Sequence, residues 1–72
     1  MAEGKIKWFD PGEGYGFIER DDEKDLFVHI SQWRGAPGTV PQEGQKVTFA
    51  LGIDPEGEPE AREVYPFSGD QE

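Results

Sequence analysis

Two short stretches, Glu13-Gly14-Tyr15-Gly16-Phe17-Ile18 and Leu26-Phe27-Val28-His29, hold the residues of this 72-residue chain best suited to chemistry. Each places rings at alternate positions. In an extended strand alternate side chains share a face, so Tyr15 and Phe17 point one way and Ile18 the other. Phe27 and His29 likewise share one face, and Leu26 and Val28 share its opposite. Both faces are then apolar, yet a chain this short has a single interior. The surplus rings call for a flat covering partner. An unpaired nucleobase is one, since stacking on an aromatic side chain is worth about 1–3 kcal/mol per base. A loop, a partner protein or a second copy of the chain would also cover them.

His29 is the only histidine, and the chain has no cysteine. Zinc and iron–sulfur sites of the usual ligand sets are excluded, as is any disulfide framework. A general base or an activated nucleophile needs a partner within reach, and neither a thiol nor a second imidazole is available to His29. The ring suits stacking combined with a hydrogen bond better than catalysis. The expectation is a protein with no enzymatic activity, no cofactor and no metal. Gly12-Glu13-Gly14-Tyr15-Gly16 has the look of a nucleotide-binding loop. Such a loop needs a helix N-terminus after its glycines, whereas a strand follows here, and no Gly-Lys-Ser/Thr occurs.

Sixteen acidic residues against seven basic ones give a net charge of −9. At long range that opposes a polyanionic partner. The placement of the bases matters more than their number. Lys5 and Lys7 flank Ile6 ahead of the ring stretches, and Lys7 is the better candidate for a phosphate contact. No apolar stretch approaches the ~20 residues of a spanning helix, and no basic start followed by an apolar run appears at Met1. The sequence therefore reads as a soluble, cytoplasmic monomer with no membrane partner.

The elements that must position these residues are short strands. Gly4 to Asp10 forms the first, with Ile6 inward and Lys5, Lys7 and Phe9 outward; strict alternation also puts Trp8 inside. Asp10-Pro11-Gly12-Glu13-Gly14 is turn chemistry. Tyr15 to Arg20 and Asp25 to Ile30 are the second and third strands, and Ser31-Gln32-Trp33 one helical turn. A loop from Arg34 to Thr39 leads to a fourth strand, Gln45 to Leu51. Gly52 to Pro59 reads as an acidic loop before a fifth strand, Ala61 to Tyr65. This is an all-β pattern that closes most economically as a small five-stranded antiparallel β-barrel. Ile6, Ile18, Leu26, Val28, Val47, Phe49, Leu51 and Val64 are the expected core. The domain is expected to span residues 1–66, with 67–72 a frayed tail.

Gly4-Lys5-Ile6-Lys7-Trp8-Phe9-Asp10, Gly14-Tyr15-Gly16-Phe17-Ile18 and Asp25-Leu26-Phe27-Val28-His29-Ile30-Ser31 resemble the cold-shock domain family. Glu43-Gly44-Gln45-Lys46-Val47-Thr48-Phe49 and Pro59-Glu60-Ala61-Arg62-Glu63-Val64 continue the likeness in the same order. The resemblance implies an oligonucleotide-binding (OB) barrel that binds single-stranded RNA or DNA and acts as an RNA chaperone or a regulator of transcription or translation. The binding residues it implies are Lys7, Trp8, Tyr15, Phe17, Asp25, Phe27, His29 and Ile30. It also implies that Trp8 lies on the binding surface, through a twist or bulge that breaks strict alternation. Trp33 falls where the family commonly has an aliphatic residue and is expected at the core boundary, with an extra stacking ring as the alternative.

The chain departs from that family at several positions. Glu13 replaces a usual lysine and Asp10 a usual asparagine. Ala36-Pro37-Gly38-Thr39 lacks a ring, and Gly52 to Glu60 lacks a base. Each change removes a cation or ring, or adds an anion, so binding is expected to rest on stacking with few ionic contacts. The four lysines and the acid excess fit a salt-adapted protein and a charge-tuned one equally. The rival reading is a protein-interaction module whose acids exclude nucleic acid.

Overall fold

A computed structural model describes residues 2–67. The strands are β1 (Ala2–Asp10), β2 (Tyr15–Glu19), β3 (Leu26–His29), β4 (Lys46–Ile53) and β5 (Pro59–Pro66), with a 3₁₀ turn at Ile30–Gln32. They close into a barrel in the order β1-β2-β3-β5-β4. The seam between β3 and β5 is parallel and short, at Phe27 and Glu60, while the other seams are antiparallel. The all-β barrel expected from the sequence is therefore present.

Ile6, Ile18, Leu26, Val28, Val47, Phe49, Ala61 and Val64 form the buried core. Leu51, expected among them, is 58% exposed. The pairing of β1 with β4 ends at Ala2 and Phe49, so beyond Phe49 β4 has only β5 as a neighbour. Leu51 keeps the inward parity but lies on a two-stranded ribbon with no opposite wall. Its cross-strand partner Ala61 takes the buried place instead. The ribbon also shortens the expected acidic loop, because β4 continues to Ile53 and β5 starts at Pro59. Asp54 closes the tip, its Oδ1 accepting from the backbone N–H of Glu56 at 2.9 Å and of Glu58 at 2.8 Å. Arg62 lies across Gly52, donating to Glu60 at 2.9 Å and to the Ile53 carbonyl at 3.0 Å.

Alternation fails at two bulges. Ile6 pairs with Ile18 but Trp8 pairs with Phe17, leaving Lys7 as an extra residue in β1. The insertion reverses the parity that follows. Trp8 turns outward, 38% exposed, and Phe9 turns inward. Phe9 was expected outside; it is half-buried and packs on the core. In β5 the register slips between Thr48–Tyr65 and Ala50–Arg62. Glu63 there has φ +49°, and its N–H donates to Gln32 Oε1 at 3.2 Å. Arg34 N–H donates to the Val64 carbonyl at 2.8 Å, which ties the 3₁₀ turn to β5.

Trp33 is half-buried and packs against the core. Its indole N–H donates to Thr39 Oγ1 at 3.1 Å, and Gly35 fits directly against the ring. The loop after the 3₁₀ turn is thus folded onto Trp33. Phe67, placed by the sequence in the tail, donates its N–H to the Lys46 carbonyl at 2.9 Å. The rest of that expected tail, 68–72, lies outside the described residues.

Gly16 is buried opposite Phe9. A Cβ there would collide with the Trp8 carbonyl oxygen and stand 2.7 Å from Phe9 Cα. Backbone this close has no rotamer with which to yield, so Gly16→Ala is expected to destabilise the barrel by about 1–3 kcal/mol or more. Urea unfolding followed by fluorescence checks this, with a lower midpoint at unchanged slope as the expected outcome.

Candidate nucleic-acid interface

The hairpin between β1 and β2 is closed by its own turn residues. Asp10 Oδ1 accepts from the N–H of Gly12 at 2.9 Å and of Glu13 at 3.2 Å. Gly14, at φ +80°, donates its N–H to the Asp10 carbonyl at 2.8 Å. The Asp10 carboxylate is therefore engaged with the backbone of the turn. The register that follows sets Tyr15 across from His29 and Phe17 across from Phe27, with Trp8 across from Phe17 on the other side.

Four rings result in mutual contact. Trp8 lies 5.7 Å from Tyr15 and 5.4 Å from Phe17, centroid to centroid. Tyr15 stacks on Phe27 at 5.7 Å and 27°, and Phe17 meets Phe27 edge-on at 5.9 Å. Edge-to-face and offset arrangements are those that ring quadrupoles favour. None of the four belongs to the buried core. His29 is exposed beside Tyr15, and Ile30 is half-buried, its N–H donating to the Gly14 carbonyl at 2.8 Å. The structure therefore brings Trp8, Tyr15, Phe17, Phe27 and His29 onto one surface across β1, β2 and β3, with Ile30 following in the 3₁₀ turn beside Gly14.

Lys7 and Asp25 meet each other. The Lys7 ammonium donates to Asp25 Oδ2 at 2.7 Å. That hydrogen bond, and then the carboxylate's charge, hold the Lys7 pKa above the ordinary 10.5. Eighteen residues separate the two, and the contact reaches across β2, so only the β1–β2 and β2–β3 registers together could reveal it. Sequence reasoning took Lys7 as a phosphate contact and missed its partner. It also took Ser31 as a possible cap of the helical turn, whereas His29 is the cap and its ring meets Ser31. A hydroxyl two residues after a histidine is too common a pattern to have pointed there.

The rings form an open surface. A cleft of about 520 Å³, lined in part by Ala2, Gly4, Glu19, Arg20 and Leu51, lies elsewhere and includes none of them. Among the described residues no group of three or more histidine or carboxylate side chains gathers as a metal site would, and no helix is long and apolar enough to cross a membrane.

A closed five-stranded barrel with a platform of one exposed and three half-buried rings on three consecutive strands has the architecture of an oligonucleotide-binding barrel. Residues 2–67 match the family model described as the 'Cold-shock' DNA-binding domain. The chain is 42% identical to Cold shock protein 1 of Lactiplantibacillus plantarum over 66 residues, covering 92% of this chain and 98% of the relative. It is 41% identical to Cold shock-like protein CspD of Bacillus cereus over 64 residues, covering 89% and 96%. With Cold shock protein CspB of Bacillus caldolyticus it shares 43% over 51 residues, covering 71% and 77%. The chain belongs to the cold-shock domain family.

The Lys7–Asp25 pair gives an alkaline signature. A lysine with a raised folded-state pKa contributes stability that is fully present below the unfolded value near 10.5 and lost as pH rises through the folded value. Asp25→Asn is expected to bring the Lys7 pKa down toward 10.5 and to remove that alkaline component. NMR titration of the lysine side-chain carbons in both proteins provides the check.

Proposed function

We propose that the chain captures unpaired nucleotides of RNA or DNA on Trp8, Tyr15, Phe17, Phe27 and His29, with Ile30 bordering the platform. The single observation that carries this reading is the contiguous four-ring surface outside a core that is complete without it. Membership of the cold-shock family supports it. The platform accepts the faces of bases, which every base possesses, so recognition has low sequence specificity. Paired bases hide those faces. Binding only the unpaired state draws a folded RNA toward it by mass action, without nucleotide hydrolysis. In this reading the protein is an RNA chaperone or a regulator of transcription or translation. It works as a cytoplasmic monomer and performs no chemistry.

Electrostatics contribute little to this capture. Lys7 is already paired with Asp25, so a phosphate gains that cation only by displacing a carboxylate or joining it. Two or three phosphate contacts, at about −0.7 each on a single strand, correspond to a log–log salt slope of about −1.5 to −2.

Titration with oligothymidine at low and high salt, read by quenching of Trp8, tests the proposal. Quenching with a shallow salt slope is expected. A slope steeper than about −4 would overturn the stacking-dominated account. Absence of any quenching or mobility shift at high micromolar ligand would overturn nucleic-acid binding itself. Phe17→Ala and Phe27→Ala are each expected to weaken binding by about 1–3 kcal/mol. Isothermal titration of both variants measures that loss, and unchanged affinity in both would place the site elsewhere.

A further inference from the structure

His29 closes β3 and caps the 3₁₀ turn that follows it. Its backbone is extended, at φ −103° and ψ 150°, and its ring Nδ1 accepts the backbone N–H of Ser31 at 3.1 Å. An amide N–H can only donate, so Nδ1 must present its lone pair. Ser31 Oγ stands 2.9 Å from the same nitrogen, and a hydroxyl rotates its proton toward an acceptor. Two donors from one residue thus converge on Nδ1. A neutral imidazole has one protonated and one bare nitrogen, so its proton is on Nε2.

Nε2 faces outward. Among the described residues it has no hydrogen-bond partner, although the ring's other nitrogen meets both the N–H and the hydroxyl of Ser31. Gly14 borders Nε2, an added Cβ there lying 4.0 Å from it, an ordinary van der Waals distance. Gly14 has φ +80°, a conformation that side-chain-bearing residues rarely adopt. The neighbouring ring is Tyr15, directly across the β2–β3 register. A donor N–H thus stands at the end of the platform, next to the last stacking ring.

We propose that Ser31 is a positioning residue that holds His29 as its Nε2–H tautomer with a fixed ring plane, so that His29 donates a hydrogen bond to an acceptor on a base seated beside Tyr15. The inference rests on the reading that unpaired bases occupy the ring face, and it gives one end of that face a polar function beyond stacking. The acceptor is a carbonyl oxygen or an unprotonated ring nitrogen of the base. Ser31 does not touch the base; it acts through the imidazole.

The chain's sole histidine makes the test clean. Long-range proton–nitrogen NMR at about pH 8.5, where an imidazole is neutral, should show His29 predominantly as the Nε2–H tautomer; a predominant Nδ1–H tautomer would overturn the proposal. His29→Phe keeps a stacking ring without the donor and is expected to bind oligothymidine about 2- to 10-fold more weakly, the range of one hydrogen bond. Ser31→Ala is expected to increase the Nδ1–H population and weaken binding about 2- to 3-fold, and Ser31→Thr should restore both. The same comparison on an oligomer of difluorotoluene nucleotides, which stack like thymine but accept hydrogen bonds poorly, should show none of these differences. Wild-type affinity in His29→Phe, or no change of tautomer and affinity in Ser31→Ala, would sink the idea. Failure of the wild-type protein to bind any oligothymidine would overturn the base-capture reading and the recognition role with it, while the tautomer measurement stands by itself.

Discussion

The residue inserted at Lys7 in β1, with no counterpart in β2, sets the geometry on which the ring face depends. A strand has two faces and a period of two, so one unpaired residue exchanges the faces for everything beyond it. Without the insertion Trp8 would lie inside with Ile6, and Phe9 would face water. With it, Trp8 completes a ring array whose other members come from β2 and β3, while Phe9 supplements the core. The same insertion presses the backbone of Trp8 and Phe9 onto Gly16. Gly16 thus permits the bulge, the bulge presents the indole, and the indole joins rings that register had already aligned.

Much of this was legible before any coordinates. Strand alternation located Tyr15, Phe17, Phe27 and His29 on one face and seven of the core residues on the other. What alternation could not supply were the places where it breaks. The outward turn of Trp8 came from family resemblance, and the inward turn of Phe9 followed from the same bulge but was not drawn. Leu51 shows a different limit. Its parity is correct, but burial depends on a second wall, and β1 ends opposite Phe49. The Lys7–Asp25 contact needed register as well, because nothing local couples residues so far apart in the chain.

A second bulge, at Glu63, solves a problem of closure. The extra residue leaves a backbone N–H outside the ladder, and Gln32 satisfies it. Val64 can then turn inward while its carbonyl accepts from Arg34. The short 3₁₀ turn is thereby bound to β5, and the same turn holds the ring of His29. Barrel closure and the end of the ring face share one small set of hydrogen bonds.

The ion pair between Lys7 and Asp25 also bears on how quickly partners meet and part. A platform whose nearby cation is already neutralised, on a chain of net charge −9, exerts no long-range pull on a polyanion. Its encounters fall toward the unsteered range of about 10⁵–10⁶ M⁻¹s⁻¹, far from the 10⁸–10⁹ of charge-guided association. Residence is governed separately, by the dissociation rate and not by the rate of encounter. On the base-stacking reading proposed above, residence on a nucleic acid would be set by how fast bases unstack from the rings.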